Sequence, residues 1–210
     1  MEVVLLQTQL QDPNYQNLLS PTTYHGSACG KAILIGEHAV LHGSTAIAIP
    51  LSNYRLQVSV HSNNTHKKDP SCFLNLKNKK HSYKLQRVVD LAENLLKVNL
   101  DDRYLSIKSN IGIGAGLGSS AAVCVAFIRA ICKLQNIRID RHVLASKSQH
   151  LENVFHGCSS GLDTSVVSHE KMLVFNRESK PYTLDVKPLC DNTKINFIII
   201  DSLERSKTST

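Results

Sequence analysis

The segment Gly112-Ile113-Gly114-Ala115-Gly116-Leu117-Gly118-Ser119-Ser120-Ala121-Ala122 puts a glycine at every second position and two hydroxyls at its end. Without Cβ atoms a backbone can bend sharply and come close to a ligand. The apolar run that follows, Ala121 to Leu134, reads as a buried helix, and the first turn of such a helix leaves N–H groups without partners. Its dipole adds partial positive charge at the same place, so bend and helix together make a cradle for an anion, above all a phosphate. Ser119 and Ser120 suit the cap and first turn, where a hydroxyl can donate to phosphate or ligate its metal ion. The spacing fits neither common phosphate loop. No lysine follows Gly118, as G-x-x-x-x-G-K-[ST] requires, and Gly118 comes one residue too early for G-x-G-x-x-G. The plainer alternative is a flexible hinge ahead of a buried helix, but a hinge has no need of Ser-Ser after four glycines.

Three other residues could do chemistry beside such a cradle. Lys31 heads the apolar run Ala32 to Ile35, and a charge at the end of a buried strand needs a partner. Glu152 and Asp163 lie eleven residues apart, around His156-Gly157 and Ser160-Gly161. Taken alone, Asp163 would be a turn or cap residue, Glu152 a solvated helix face, and His38, His42 and His156 ordinary polar positions.

The elements that must position these groups alternate between strands and helices. Lys31–Ile35 and Ala46–Leu51 read as short buried strands, separated by the turn signal His42-Gly43-Ser44. Tyr54, Leu56, Val58 and Val60 alternate with Arg55, Gln57, Ser59 and His61, the period of a half-buried strand. Residues 84–97 place Leu85, Val88, Val89, Ala92, Leu95 and Leu96 on one helical stripe. Leu105, Ile107 and Ile111 mark a further strand. Asp140 caps a helix ending near Gly157, with Val143, Leu144, Leu151, Val154 and Phe155 inward. Met172–Phe175 and Ile195–Ile200 read as two more strands. The pattern is α+β without internal repeat, with residues 1–24 a loosely ordered leader and 25–210 the folded unit.

Composition excludes several classes. Of 210 residues 42% are hydrophobic and 20% charged, enough apolar content for a real core and too much for a disordered chain. The longest apolar run, Ala121–Ile128, is far short of the ~20 residues of a membrane helix, and MEVVLLQTQLQD is no signal peptide. A cytoplasmic protein without membrane association is expected. The six cysteines have neither C-x-x-C spacing nor histidine partners, and read as reduced, mostly buried small hydrophobes. Of the net charge of +7, nearly all sits between His61 and Arg87, where Lys67, Lys68, Lys77, Lys79, Lys80, Lys84 and Arg87 face only Asp69. That stretch carries no nucleic-acid-binding motif. It reads as a solvated loop or hairpin, with steering of an anionic substrate as the alternative.

Three motifs in order resemble one superfamily. Gly114–Ala122 resembles the phosphate loop of the galactokinase, homoserine kinase, mevalonate kinase and phosphomevalonate kinase superfamily. Gly30-Lys31-Ala-Ile-Leu-Ile-Gly36-Glu37-His38-Ala39-Val40-Leu41-His42-Gly43 resembles the N-terminal signature of mevalonate kinases; galactokinases share Gly-Glu-His but continue differently. Glu152-Asn-Val-Phe-His156-Gly157-Cys-Ser-Ser160-Gly161-Leu162-Asp163 is similar to the mevalonate kinase segment with Glu, His-Gly and Ser-Gly-Val-Asp.

The resemblance implies the N-terminal lobe of such a kinase, a mixed sheet with packed helices, and ATP-dependent phosphorylation of the primary hydroxyl of mevalonate in the isoprenoid and sterol precursor pathway. By resemblance, Asp163 is the base for that hydroxyl and Lys31 the lysine stabilising the ionised partners. Gly114, Ala115, Gly116, Leu117, Gly118, Ser119 and Ser120 are the nucleotide cradle. Ser120 and Glu152 are the Mg2+ ligands, and Glu37, His38 and Thr208 the mevalonate contacts. The partners implied are mevalonate and ATP, with a homodimer as in many relatives, and no nucleic acid. Cys29 and Gly112-Ile113 stand where relatives commonly carry proline, and the segment between the first two motifs is short. No second glycine-rich loop follows Asp163, so a chain lacking the C-terminal lobe is expected. Alternatives are another kinase of the superfamily or a nucleotide-binding module without catalysis.

Overall fold

The computed structural model describes residues 23–62, 73–75, 83–101, 103–176 and 198–200. Strand β1 (Thr23–Ile35) pairs with β2 (Ala46–Ser62), which pairs with β4 (Arg103–Ser109); the short β3 (Phe73–Asn75) lies on the far side of β4 and β5 (Leu173–Phe175) pairs with the start of β2. Every pairing among the described residues is antiparallel. That corrects the expected mixed sheet in one respect. The first two strands join by a short turn through the 3-10 segment Ala39–His42, and the path through helix α1 (Tyr83–Leu96) brings β4 back against the direction of β2.

The two strands expected at Ala46–Leu51 and Tyr54–His61 are one strand. Partners jump from Cys29–Arg55 to Gly30–Leu51, a bulge that absorbs Ser52 to Tyr54 without ending the strand. Beyond it the alternation holds: Leu56, Val58 and Val60 are buried under the helices. On the other face His25 hydrogen-bonds to Ser59 at 2.7 Å and His61 to Ser106 at 2.9 Å.

Helix α2 (Ser119–Leu134) lies across β1 and β2 and is buried almost all round, from Ala121 to Cys132. It packs close because β1 presents Gly26 to it: a Cβ there would run into the carbonyl of Ala126. Helix α3 (Arg141–His156) packs on α1 and α2, and the eight-residue α4 (Leu162–His169) lies against α3, α2 and β1. The main core joins Ala28, Leu56, Val58, Val60 and Leu105 of the sheet to α1, α2 and α3; a second cluster joins Val40, Ala46 and Ala48 to Leu162, Val166 and Phe175. Asp140 caps α3 as expected, its Oδ1 accepting from the N–H of His142 at 2.8 Å and of Val143 at 3.4 Å. These bonds hold its carboxyl below the usual range.

Two expectations fail locally. Val143 is 47% exposed rather than inward, because the buried stripe runs through Leu144, Ser148, Leu151 and Glu152, and Val143 precedes it by a hundred degrees of helix. Ile198–Ile200 form no strand, with Ile198 and Ile200 open to solvent; residues 195–197 lie outside the described residues. Thr23 and Tyr24, counted in the leader, open β1, while the rest of it and most of the basic stretch, 63–82 apart from the backbone of β3, also lie outside. Cys29, Cys124 and Cys132 are buried free thiols and Cys158 is exposed; Cys72 and Cys190 are outside the described residues. No helix among the described residues is long and apolar enough to cross a membrane.

Candidate active site

The glycine-rich bend folds as a sign alternation. Gly114, Gly116 and Gly118 have φ of 71°, 74° and 73°, whereas Ala115 and Leu117 between them are not in the left-handed region. Alternating backbone of this kind turns successive N–H groups toward one concavity, a nest for an anion. The bend ends in α2 with Gly118 as N-cap and no side-chain cap. The first intrahelical bond is from the N–H of Ala122 to the carbonyl of Gly118 (2.9 Å), so the amides of Ser119, Ser120 and Ala121 precede the helical ladder.

Strand β1 is laced to this bend. The N–H of Lys31 donates to the carbonyl of Leu117 at 3.0 Å. The Lys31 side chain then runs past Gly118 so closely that a Cβ there would lie 2.7 Å from Lys31 Cγ. Buried to 6% exposure, it ends on Asp163, with Nζ 3.0 Å from Oδ2. This is the partner its position in a buried strand demanded. Asp163 sits in the first turn of α4 after Gly161 (φ 85°), where the helix dipole favours a carboxylate. Ser160 Oγ accepts from the N–H of Leu162 (3.2 Å) at the same turn.

Helix α3 supplies the third wall. Glu152, 1% exposed, accepts from Ser120 Oγ at 3.3 Å through Oε1 and from Ser159 Oγ at 2.8 Å through Oε2. Desolvation, helped by the nearby charge of Asp163, pushes its carboxyl up to about 7, against the pull of the two hydroxyls and of Lys31. One turn further, His156 Nε2 lies 3.0 Å from Ser120 Oγ. Partial desolvation, outweighing the charge of Asp163, holds this imidazole below its usual range.

Lys31, Ser120, Glu152 and Asp163, separated by up to 132 positions in the chain, thus meet beside the nest. Glu37 and His38 do not join them: both are exposed in the turn after β1, without a hydrogen bond or ion pair to any of the four. Thr208 lies outside the described residues. Sequence reasoning passed over Ser159 and His156. The signal for His156 was its spacing of four from Glu152, which puts both on one helix face. Ser159 gave none, since its role depends on a turn: its Oγ also accepts from the N–H of Gly161 (3.2 Å), and Gln149 Nε2 holds its carbonyl (3.0 Å). Among the described residues no group of three or more His, Cys, Asp or Glu is arranged around a metal ion.

Comparison with known proteins gives this arrangement a lineage. The family model of the GHMP kinases N-terminal domain matches residues 84–171. The mevalonate kinase of Pyrococcus abyssi is 31% identical over 168 residues, 70% of this chain and 49% of that protein. The mevalonate kinase of Archaeoglobus fulgidus is 36% identical over 138 residues, 65% and 47% of the two chains. The crystal structure of mevalonate kinase from methicillin-resistant Staphylococcus aureus superposes with a TM-score of 0.58 at 28% identity, covering 76% of this chain and 54% of that one. The chain therefore spans about half the length of the relatives it matches. With the three motifs gathered on one antiparallel sheet and its helices, the chain carries a GHMP kinases N-terminal domain, matched over residues 84–171.

Proposed function

We propose that this chain transfers the γ-phosphoryl group of ATP to the primary hydroxyl of mevalonate, giving 5-phosphomevalonate and ADP. The observation that carries the reading is the Lys31–Asp163 pair at 3.0 Å, held against the phosphate bend by the passage of Lys31 over Gly118. Phosphoryl transfer needs positioning and neutralised charge rather than covalent catalysis, and the site is built of both.

The amides of residues 114–120 and the start of α2 hold the terminal phosphate oxygens. Asp163 accepts the proton of the alcohol as its oxygen bonds to the γ-phosphorus and the bond from that phosphorus to the leaving ADP oxygen breaks. The Lys31 ammonium, fixed beside Asp163, offsets the negative charge on the transferring group. Ser120 and Glu152 fit a hard divalent cation. Both offer oxygen, and Glu152 is a buried carboxyl that desolvation, with the nearby charge of Asp163, pushes up to about 7, so that a cation there would relieve it. Bound there, Mg2+ would supply charge neutralisation for the phosphates. Glu37 and His38, exposed in the turn after β1, and Thr208 are assigned to mevalonate.

The test is turnover by the purified chain, with ATP and Mg2+, of mevalonate against galactose, homoserine and phosphomevalonate, using Asp163→Asn as control. Phosphorylation of mevalonate, lost in the control, is expected. Turnover of one of the others alone would replace the substrate, and ATP binding without any turnover would make the chain a nucleotide-binding module.

A further inference from the structure

His156 carries an unassigned role that rests on the kinase reading. The Ser120 hydroxyl has one proton and two neighbours able to take it: Glu152 Oε1 at 3.3 Å and His156 Nε2 at 3.0 Å. A serine oxygen that serves a cation must turn a lone pair to it and send its proton elsewhere. If Glu152 turns to the same cation, its oxygen is no longer free to accept, and the longer of the two bonds is the one given up. His156 is then the acceptor that remains. It lies one helical turn beyond Glu152 on α3, and the end of that helix is itself fixed, with Lys84 Nζ donating to the carbonyl of Phe155 at 3.0 Å.

We propose that His156 is a positioning residue: by accepting the Ser120 proton at Nε2 it orients the Ser120 hydroxyl toward the cation of the bound nucleotide. The proton moves from one hydrogen-bond acceptor to another and stays on the Ser120 oxygen. The role therefore needs an acceptor at residue 156, with no positive charge and no change in ionisation.

The experiment measures ATP affinity by titration calorimetry, with Mg2+ and with EDTA, for the unaltered chain, His156→Ala, His156→Gln, Ser120→Ala and the His156→Ala/Ser120→Ala double variant. His156 is exposed, and thermal melting checks that each variant is folded. Expected is a loss of roughly 5- to 10-fold in affinity for Mg2+-ATP in His156→Ala, the size of one hydrogen bond. Affinity in EDTA should stay within about 2-fold, and no further loss should follow in the Ser120→Ala background. His156→Gln, whose amide oxygen can accept, should recover most of the affinity. Equal losses with and without Mg2+, a loss that persists when Ser120 is absent, or no loss at all would overturn the role of His156 alone. An unaltered chain that binds no ATP under either condition would overturn the kinase reading, and this inference with it.

Discussion

Gly118 and Gly116 form a matched pair for testing how the bend holds Lys31. Their φ angles are 73° and 74°, so an alanine at either carries the same left-handed penalty, about 1–2 kcal/mol. Their surroundings differ. A Cβ at 116 meets nothing within 4 Å, whereas one at 118 lies 2.7 Å from Lys31 Cγ and 3.1 Å from Cε. Cγ is near the root of the side chain, so relief requires moving the whole lysine off its 3.0 Å contact with Asp163. Breaking a fully buried pair costs about 3–5 kcal/mol; with Asp163 27% exposed, an extra penalty of about 1–3 kcal/mol is expected. For a domain of this size each kcal/mol lowers Tm by about 2–4 °C. Gly116→Ala should therefore melt roughly 2–8 °C below the unaltered chain, and Gly118→Ala a further 2–12 °C lower by the same conversion. The cycle is completed in a Lys31→Ala background, where Cγ is gone and the extra cost at 118 should vanish. Circular-dichroism melts of the six proteins decide it. Equal losses at 116 and 118, or a difference that survives in Lys31→Ala, would refute the coupling of bend to lysine.

Other expectations concern the same walls. Glu152 has a raised carboxyl, about 7 against an ordinary 4.5, so its contribution to stability is complete below pH 4.5 and is lost as pH rises through 7. Between pH 5 and 8 in EDTA that amounts to about 2–3 kcal/mol; Glu152→Gln should flatten the melting profile over this range, and parallel profiles would contradict the assignment. Lys31→Met leaves Asp163 without its partner and should lower phosphorylation of mevalonate by at least about 100-fold, a loss of the order of that from one preorganised charge; Tm compared in parallel separates this from unfolding. Asp140→Ala removes the cap of α3 and should lower the midpoint of a denaturant titration, with ATP affinity unchanged; an unshifted midpoint would contradict the cap's role.

Local patterns were legible where the chemistry is local. The helix at 83–96, the Asp140 cap and the burial of α2 follow from spacing and from one carboxylate placed before a helix. The bend was legible because only glycine permits three left-handed residues at alternate positions. Strand ends were misread where pairing decides them. The bulge at residues 52–54 lets β2 run on, and the antiparallel sense of the sheet depends on how the path through α1 returns. Helix α4 was missed because Leu162–His169 has two turns and almost no polar face, its serines and His169 being buried with the rest.

The sequence by itself determined the phosphate bend, the polarity of each strand face and the identity of the groups able to do chemistry, because these depend on residue type and on neighbours a few positions away. Tertiary structure alone decided that Lys31 spends its charge on Asp163, that Glu152 is left a buried carboxyl between two hydroxyls, and that His156 reaches Ser120. Those outcomes depend on the packing of β1, α2, α3 and α4 against one another, and on the removal of water between them, which no spacing within a single element encodes.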